Sequence, residues 1–118
     1  MKNNLIQRTK EYAVKTWFFC SKLPKSREYN AYVNQLIRCS SSVGANYRAS
    51  QRAKSTADFL NKLKIVEEEA DESLYFLEIL KEIKPDLSKD IEVLHQEGNE
   101  ILSIMVASIK KVKLNNSK

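Results

Sequence analysis

Two prolines and two glycines in 118 residues leave this chain few places to turn. Pro24 and Pro85 lie in short polar passages, LPKSRE and KPDLSKD. Each interrupts a helical pattern, because proline removes a backbone donor and clashes with the preceding turn. Between these marks, apolar and small residues recur at alternating spacings of three and four, the period that places them on one face of an α-helix. Hydrophobic residues make up 42% and charged residues 30%, which suits long surface helices better than a turn-rich β-protein. The expected fold class is all-α.

The spacing predicts four helices. The first runs from about Leu5 to Lys22 with Leu5, Thr9, Tyr12, Thr16, Phe19 and Leu23 on its stripe, widened by Ile6, Ala13, Trp17 and Cys20. The second starts near Arg27 and carries Tyr29, Val33, Leu36, Ser40, Val43, Tyr47 and Ser50. A break near Lys54 is marked by Ser55 and Asp58, spaced as a capping-box-like pair. The third helix carries Phe59, Leu63, Val66, Ala70, Ser73, Leu77 and Leu80 and ends before Pro85. The fourth, capped by Asp86 or Ser88, carries Leu87, Ile91, Leu94, Gly98, Ile101, Met105, Ser108 and Val112, with residues 114–118 expected to fray. Short connections favour an antiparallel up-down-up-down four-helix bundle, a single domain over 1–118.

The net charge of +5 conceals an asymmetry. Residues 1 to 57 hold 11 Lys+Arg against Glu11 and Glu28, a net +9, while residues 58 to 118 hold 9 Lys+Arg against 13 Asp+Glu, a net −4. Such a division points to nucleic acid or another acidic partner, and equally to attraction between subunits. No apolar run approaches the roughly 18 to 20 residues needed to span a bilayer, and MKNNLIQRTKEY lacks the apolar core of a signal peptide. No membrane association and a cytoplasmic location are expected. Cys20 and Cys39 form no CxxC pattern and have hydrophobic neighbours at helical spacing, so they read as buried free thiols.

The stretch CSSSVGANYRASQRAKS, residues 39 to 55, joins small residues to Arg48, Arg52 and Lys54, and no acid occurs from Tyr29 to Ala57. Ser40, Ser41, Ser42, Gly44 and Ala45 let a neighbouring helix or subunit approach closely. A phosphate cradle is the weaker reading, since a glycine-rich anion loop needs several glycines at a strand-to-helix turn.

Residues 35 to 80 carry QLIR followed by SVGANY, then KS, DF and KL in order, and then the EA, ES and YFLE run. This series closely resembles the signature region of the small four-helix-bundle proteins first noticed as reading frames in intervening sequences of bacterial 23S rRNA genes. With the matching length and helical pattern, the resemblance covers nearly the whole chain. Phe76 stands where many relatives have tryptophan and keeps an aromatic there. The resemblance implies a left-handed bundle, assembly as a ring-like homopentamer with a basic surface, and RNA or nucleic-acid binding as a proposed function. A related bundle is the accessory protein of diversity-generating retroelements, which partners a reverse transcriptase. Neither is an enzyme.

Catalytic chemistry finds little support in the residues themselves. Glu69 and Glu72 share a helical stripe, as carboxylates do in helical di-iron sites, but such sites take a Glu-x-x-His from each of two helices and this chain has only His95. The expected partner of Glu69 and Glu72 is Arg38, which lies 16 residues before a turn near Lys54 and so comes level with about Ala70 on an antiparallel neighbour. No metal or other cofactor is expected. Serines are abundant, but one histidine on another helix gives no base-and-orienter set, and no cationic pattern activates a cysteine. His95 reads as a partly exposed helical residue, and the chain as a non-enzyme.

The basic residues are organised by topology. An up-down-up-down bundle gathers the N-terminus, the second turn and the C-terminus at one end, bringing together Lys2, Arg8, Lys10, Arg48, Arg52, Lys54, Lys110, Lys111, Lys113 and Lys118, with only Glu11 and Asp58 against them. Helix-dipole compensation accounts for Arg48, Arg52, Lys110, Lys111 and Lys113 at helix C-termini. It does not account for Lys2, Arg8 and Lys10 near a helix N-terminus. The expected phosphate contacts are therefore Arg8, Lys10, Arg48, Arg52, Lys54, Lys110 and Lys111. Tyr47, beside Arg48, is expected in the core and not stacked on a base. Trp17, Phe18, Tyr32, Tyr75 and Phe76 exceed what one narrow seam covers, which implies an interface between chains. The alternative to an RNA or DNA partner is an assembly adaptor for an acidic or polymerase-type protein.

Overall fold

In the computed structural model, which describes residues 4–116, four helices run α1 Asn4–Cys20, α2 Arg27–Ser50, α3 Thr56–Ile83 and α4 Ser88–Asn116, with a 3-10 turn at Pro85–Leu87. Each helix packs on its neighbours in the chain, and α4 closes back onto α1. Pairs across facing helices give their directions. Along α3, Glu78 meets His95 and Lys81 meets Glu92 on α4. Arg8 of α1 meets Glu97, and Lys22, just past the end of α1, meets Asp90. In both cases one partner advances as the other recedes, so these helices are antiparallel. The connections at 21–26 and 51–55 span at most about 20 Å, far less than the roughly 40 Å of a 28-residue helix. They therefore turn α2 back on α1 and α3 back on α2.

Local chemistry sets the helix ends. Ser26 starts α2 by accepting from Tyr29 N–H at 3.1 Å, a cap the sequence reading did not single out. Ser55 starts α3 by accepting from Asp58 N–H at 3.1 Å. Asp58 reciprocates one residue further out than in a standard capping box, with Oδ2 accepting from Lys54 N–H at 3.1 Å. α1 ends at Cys20 and not Lys22, because Leu23 precedes proline and the chain tightens into Lys22 N–H to Phe19 O and Leu23 N–H to Cys20 O bonds. α2 likewise stops at Ser50 and passes into turn bonds from Gln51, Arg52 and Ala53.

The fourth helix departs from expectation at both ends. Neither Asp86 nor Ser88 caps it: Asp86 accepts from Lys84 Nζ, and the Ser88 hydroxyl donates to Pro85 O, as the 3-10 turn runs straight into α4. Its far end continues to Asn116, because nothing in KKVKLNN breaks a helix and Ile109 and Lys113 lie beside Lys64 and Glu67 of α3. The inner position of the last turns is Ile109, with Ser108 and Val112 half-buried.

Tyr12, Leu36, Leu63, Val66, Leu77, Leu80, Ile91, Ile101 and Met105 fill the interior. Thr9 and Thr16 are buried among them and donate to Leu5 O and Tyr12 O, both at 2.7 Å, so their hydroxyls bring no unsatisfied polarity inward. The buried Ser73 hydroxyl donates to Ala70 O at 2.7 Å. Its one proton thus engaged, it accepts from Tyr12 OH at 2.8 Å, linking α1 to α3 across the interior. Two glycines permit close approach. A Cβ on Gly44 would lie 3.3 Å from Thr9 backbone atoms, and one on Gly98 would lie 2.6 Å from Tyr12 OH. Cys20 and Cys39 are buried free thiols, as their neighbours predicted.

Candidate nucleic-acid interface

The last turns of α2, the connection after it and the outer face of α1 form one basic surface. A shallow groove of about 250 Å³ runs between α1 and α2, with Lys10 and Arg48 among its lining residues and Ile6, Ala13, Ser41, Gly44 and Ala45 between them. A second hollow of about 420 Å³ continues from Ala45 and Arg48 to Arg52, Lys54, Asp58 and Lys62. The two share Ala45 and Arg48, so five cations follow one continuous path.

Lys10, Arg48, Arg52 and Lys54 make no ion pair with any carboxylate among the described residues. Asp58, the acid lining this path, is already engaged. It accepts from Lys54 N–H at 3.1 Å and from Lys62 Nζ at 3.0 Å, and these contacts hold its carboxyl below the usual range. Arg48 and Arg52 sit at the end of α2, where cations also offset the helix dipole. Lys10 lies mid-helix in α1, where that explanation does not reach.

Arg8 is placed elsewhere. Its Nε and Nη2 donate to the two oxygens of Glu97 at 2.7 and 2.9 Å, and Nη2 also pairs with Glu100. The Glu97 hydrogen bond is the main cause of the raised Arg8 pKa, and Arg8 in turn holds the Glu97 carboxyl low. The basic end therefore has Glu97 and Glu100 against it as well as Glu11 and Asp58. Arg8 ties α1 to α4. Lys110 and Lys111 are exposed on the last turns of α4 but line neither basic hollow. Lys113 lies in an α3/α4 groove beside Lys64, Glu67, Glu68 and Asp71. Lys2 and Lys118 fall outside the described residues. Lys62 belongs to the surface and was missed, although its place four residues after Asp58 was a usable signal.

Arg38 lies across the α2–α3 seam. Its Nη1 reaches both Glu69 oxygens at 3.2 Å, Nη2 reaches Glu72 Oε1 at 2.6 Å, and Nε donates to Gln35 Oε1 at 3.2 Å. The clasp lies at the rim of the seam, with Arg38 exposed and Glu69 and Glu72 half-buried. No group of three or more metal-ligating side chains forms among the described residues. His95 Nε2 lies 2.8 Å from Glu78 Oε2, in a groove that also holds Lys81 and Glu92. Tyr47 is buried, with no ring face offered to a base.

The large exposed apolar groups lie apart from the cations. Trp17 and Phe18 are 57% and 59% exposed, pack edge to face at 5.2 Å, and form with Val14 an apolar patch on the second half of α1. Tyr32 and Phe76 are half-buried against each other, while Tyr75 is exposed. No described helix is long and apolar enough to cross a membrane.

The chain is thus an all-α bundle of four helices with a basic groove between α1 and α2. The model of the 23S rRNA-intervening sequence protein family matches residues 1–107, and the chain belongs to that family. It is also similar to the crystal structure of a protein of unknown function from the S23 ribosomal protein family of Bacteroides thetaiotaomicron. The two share 30% identity and a TM-score of 0.82, over 89% of this chain and 97% of that one. No curated protein matches this chain.

Proposed function

We propose that this protein is a non-enzymatic, cytoplasmic, oligomeric module that binds RNA through its backbone phosphates, with little base-edge readout. The observation that carries this reading is the run of Lys10, Arg48, Arg52 and Lys54 along joined hollows whose acid is already engaged. A cationic path whose one lining carboxylate is already engaged attracts polyanions and releases their counterions, and it carries no sequence information of its own.

Fluorescence anisotropy with labelled RNA across a salt series tests it. Replacing Arg48 and Arg52 by glutamine is expected to weaken binding to unrelated sequences by similar factors and to flatten the salt slope by roughly 0.7 to 0.9 per lost contact. Absence of salt-sensitive binding by the wild-type protein at low ionic strength sinks the proposal. In that case the same surface serves the second reading, an adaptor that meets an acidic or polymerase-type protein.

Assembly is part of the proposal. The Val14, Trp17 and Phe18 patch is apolar and exposed in the isolated chain, as a surface covered by another copy would be. A homopentamer is the arrangement proposed, and it multiplies the basic path about an axis.

A further inference from the structure

We infer that the groove between α1 and α2 seats an unstacked base of single-stranded RNA, with the strand's phosphates held by Lys10 on one wall and Arg48 on the other. The inference rests on the RNA reading and adds a choice of strand form to it. Its basis is that the groove is not lined for phosphates alone. Between its two cations lie Ile6, Ala13, Gly44 and Ala45, which offer aliphatic surface and no competing charge.

The small side chains make the space. Gly44 brings α2 so close to α1 that even a Cβ there would lie 3.3 Å from the Thr9 backbone. Ser41 and Ala45 are exposed beside it and too small to fill the cleft. The 250 Å³ of open space therefore follows directly from this part of the sequence. A longer side chain at either position would cover the floor.

An A-form duplex keeps its bases stacked inside and presents phosphate and sugar. Such a ligand would engage Lys10, Arg48, Arg52 and Lys54 and leave the aliphatic floor uncovered. A single strand can splay a base out, lay its face on that floor and keep its phosphates between the cations. No aromatic ring lines the floor, so the contact is apolar covering and not ring stacking. Every base has such a face, and the seat tolerates any sequence.

The test uses the full chain and three labelled RNA probes of about 12 nucleotides: a single strand, the same strand with abasic sites, and a duplex. The wild-type protein is expected to bind the base-bearing strand at least about fivefold more tightly than the abasic one, the scale expected from removing roughly 40 Å² of apolar surface from water. Ala45→Leu and Ser41→Leu, each first shown to melt like wild type, are expected to abolish that difference, and Ser41→Leu, which lines only the first groove, is expected to leave duplex binding within about twofold. Equal wild-type binding of abasic and base-bearing strands, with salt dependence intact, overturns the base seat and leaves phosphate binding standing. Binding of none of the probes at low salt overturns both. Tighter binding of polyglutamate than of any RNA, lost in Ala45→Leu, assigns the groove to an acidic protein and overturns the inference.

Discussion

The hydroxyl of Tyr12 occupies the place where any side chain at position 98 would begin: a Cβ on Gly98 would lie 2.6 Å from it and 2.9 Å from Leu74 Cδ2. Tyr12 is fully buried and bonded to Ser73, so it cannot swing aside. Overpacking of this kind costs about 1–3 kcal/mol, and alanine's better helix propensity returns roughly 0.5–1 kcal/mol. Gly98→Ala is therefore expected to lower stability by about 1–2 kcal/mol in a denaturant melt. Introduced into Tyr12→Phe, where the nearest obstructing atom is gone, the same change should cost less. Equal costs in both backgrounds would refute the contact.

Arg8 and Arg48 should separate stability from binding. Arg8→Gln breaks a partly exposed pairing with Glu97 and Glu100, worth about 0.5–1 kcal/mol, and should leave RNA affinity nearly unchanged. Because Arg8 depresses the Glu97 pKa, the contribution of that carboxylate is present above its ordinary value of 4.5 and is lost as pH falls below it. The melting-temperature gap between wild type and Arg8→Gln should thus be full at neutral pH and close in acid. A gap that persists unchanged to pH 3, or a large loss of RNA binding, would contradict this placement.

Both cysteines should be inert in the native protein. Burial pushes the Cys20 thiol up to about 11, and burial, with Glu72 nearby, pushes Cys39 up to about 12. Neither forms the thiolate that reacts at pH 8. A thiol reagent should titrate no cysteine before denaturation and two per chain after it, without reductant. Recovery of an intramolecular Cys20–Cys39 disulfide would show the helix register to be wrong.

Trp17 reports on assembly because it is the sole tryptophan and is 57% exposed in a single chain. Light scattering is expected to give a multiple of 13.6 kDa, with five copies favoured, and indole emission should shift to the red on dilution. Trp17→Ser with Phe18→Ser should reduce the mass without unfolding the helices. A clean monomer at micromolar concentration would remove the ring.

What the sequence disclosed and what it hid divide by distance along the chain. Helical stripes, the Ser55 cap and the free thiols depend on neighbours within a few residues, and apart from the last turns of α4, where Ile109 takes the inner position, they are in the structure as read. The level of Arg38 with Glu69 and Glu72 followed from counting across one short turn. Arg8 was misplaced because its partners lie 89 and 92 residues away, on a helix read as part of the acidic half. Gly98 was read simply as a stripe position, since the ring that requires it comes from α1. The groove was half legible: its small residues were read as packing, yet only Gly44 packs tightly on α1 while Ser41 and Ala45 remain open.

The two walls of that groove belong to different helices, Lys10 and Ile6 to α1 and Arg48 and Ala45 to α2. α1 is also the shortest of the four and packs less extensively on α4 than on α2. It is thus the element whose detachment exposes least of the core, and its backbone amides should exchange with solvent through the lowest-energy opening. Any ligand seated across both walls must leave before α1 can lift, so occupancy is transmitted as slowed exchange along the whole of α1, well beyond the groove itself.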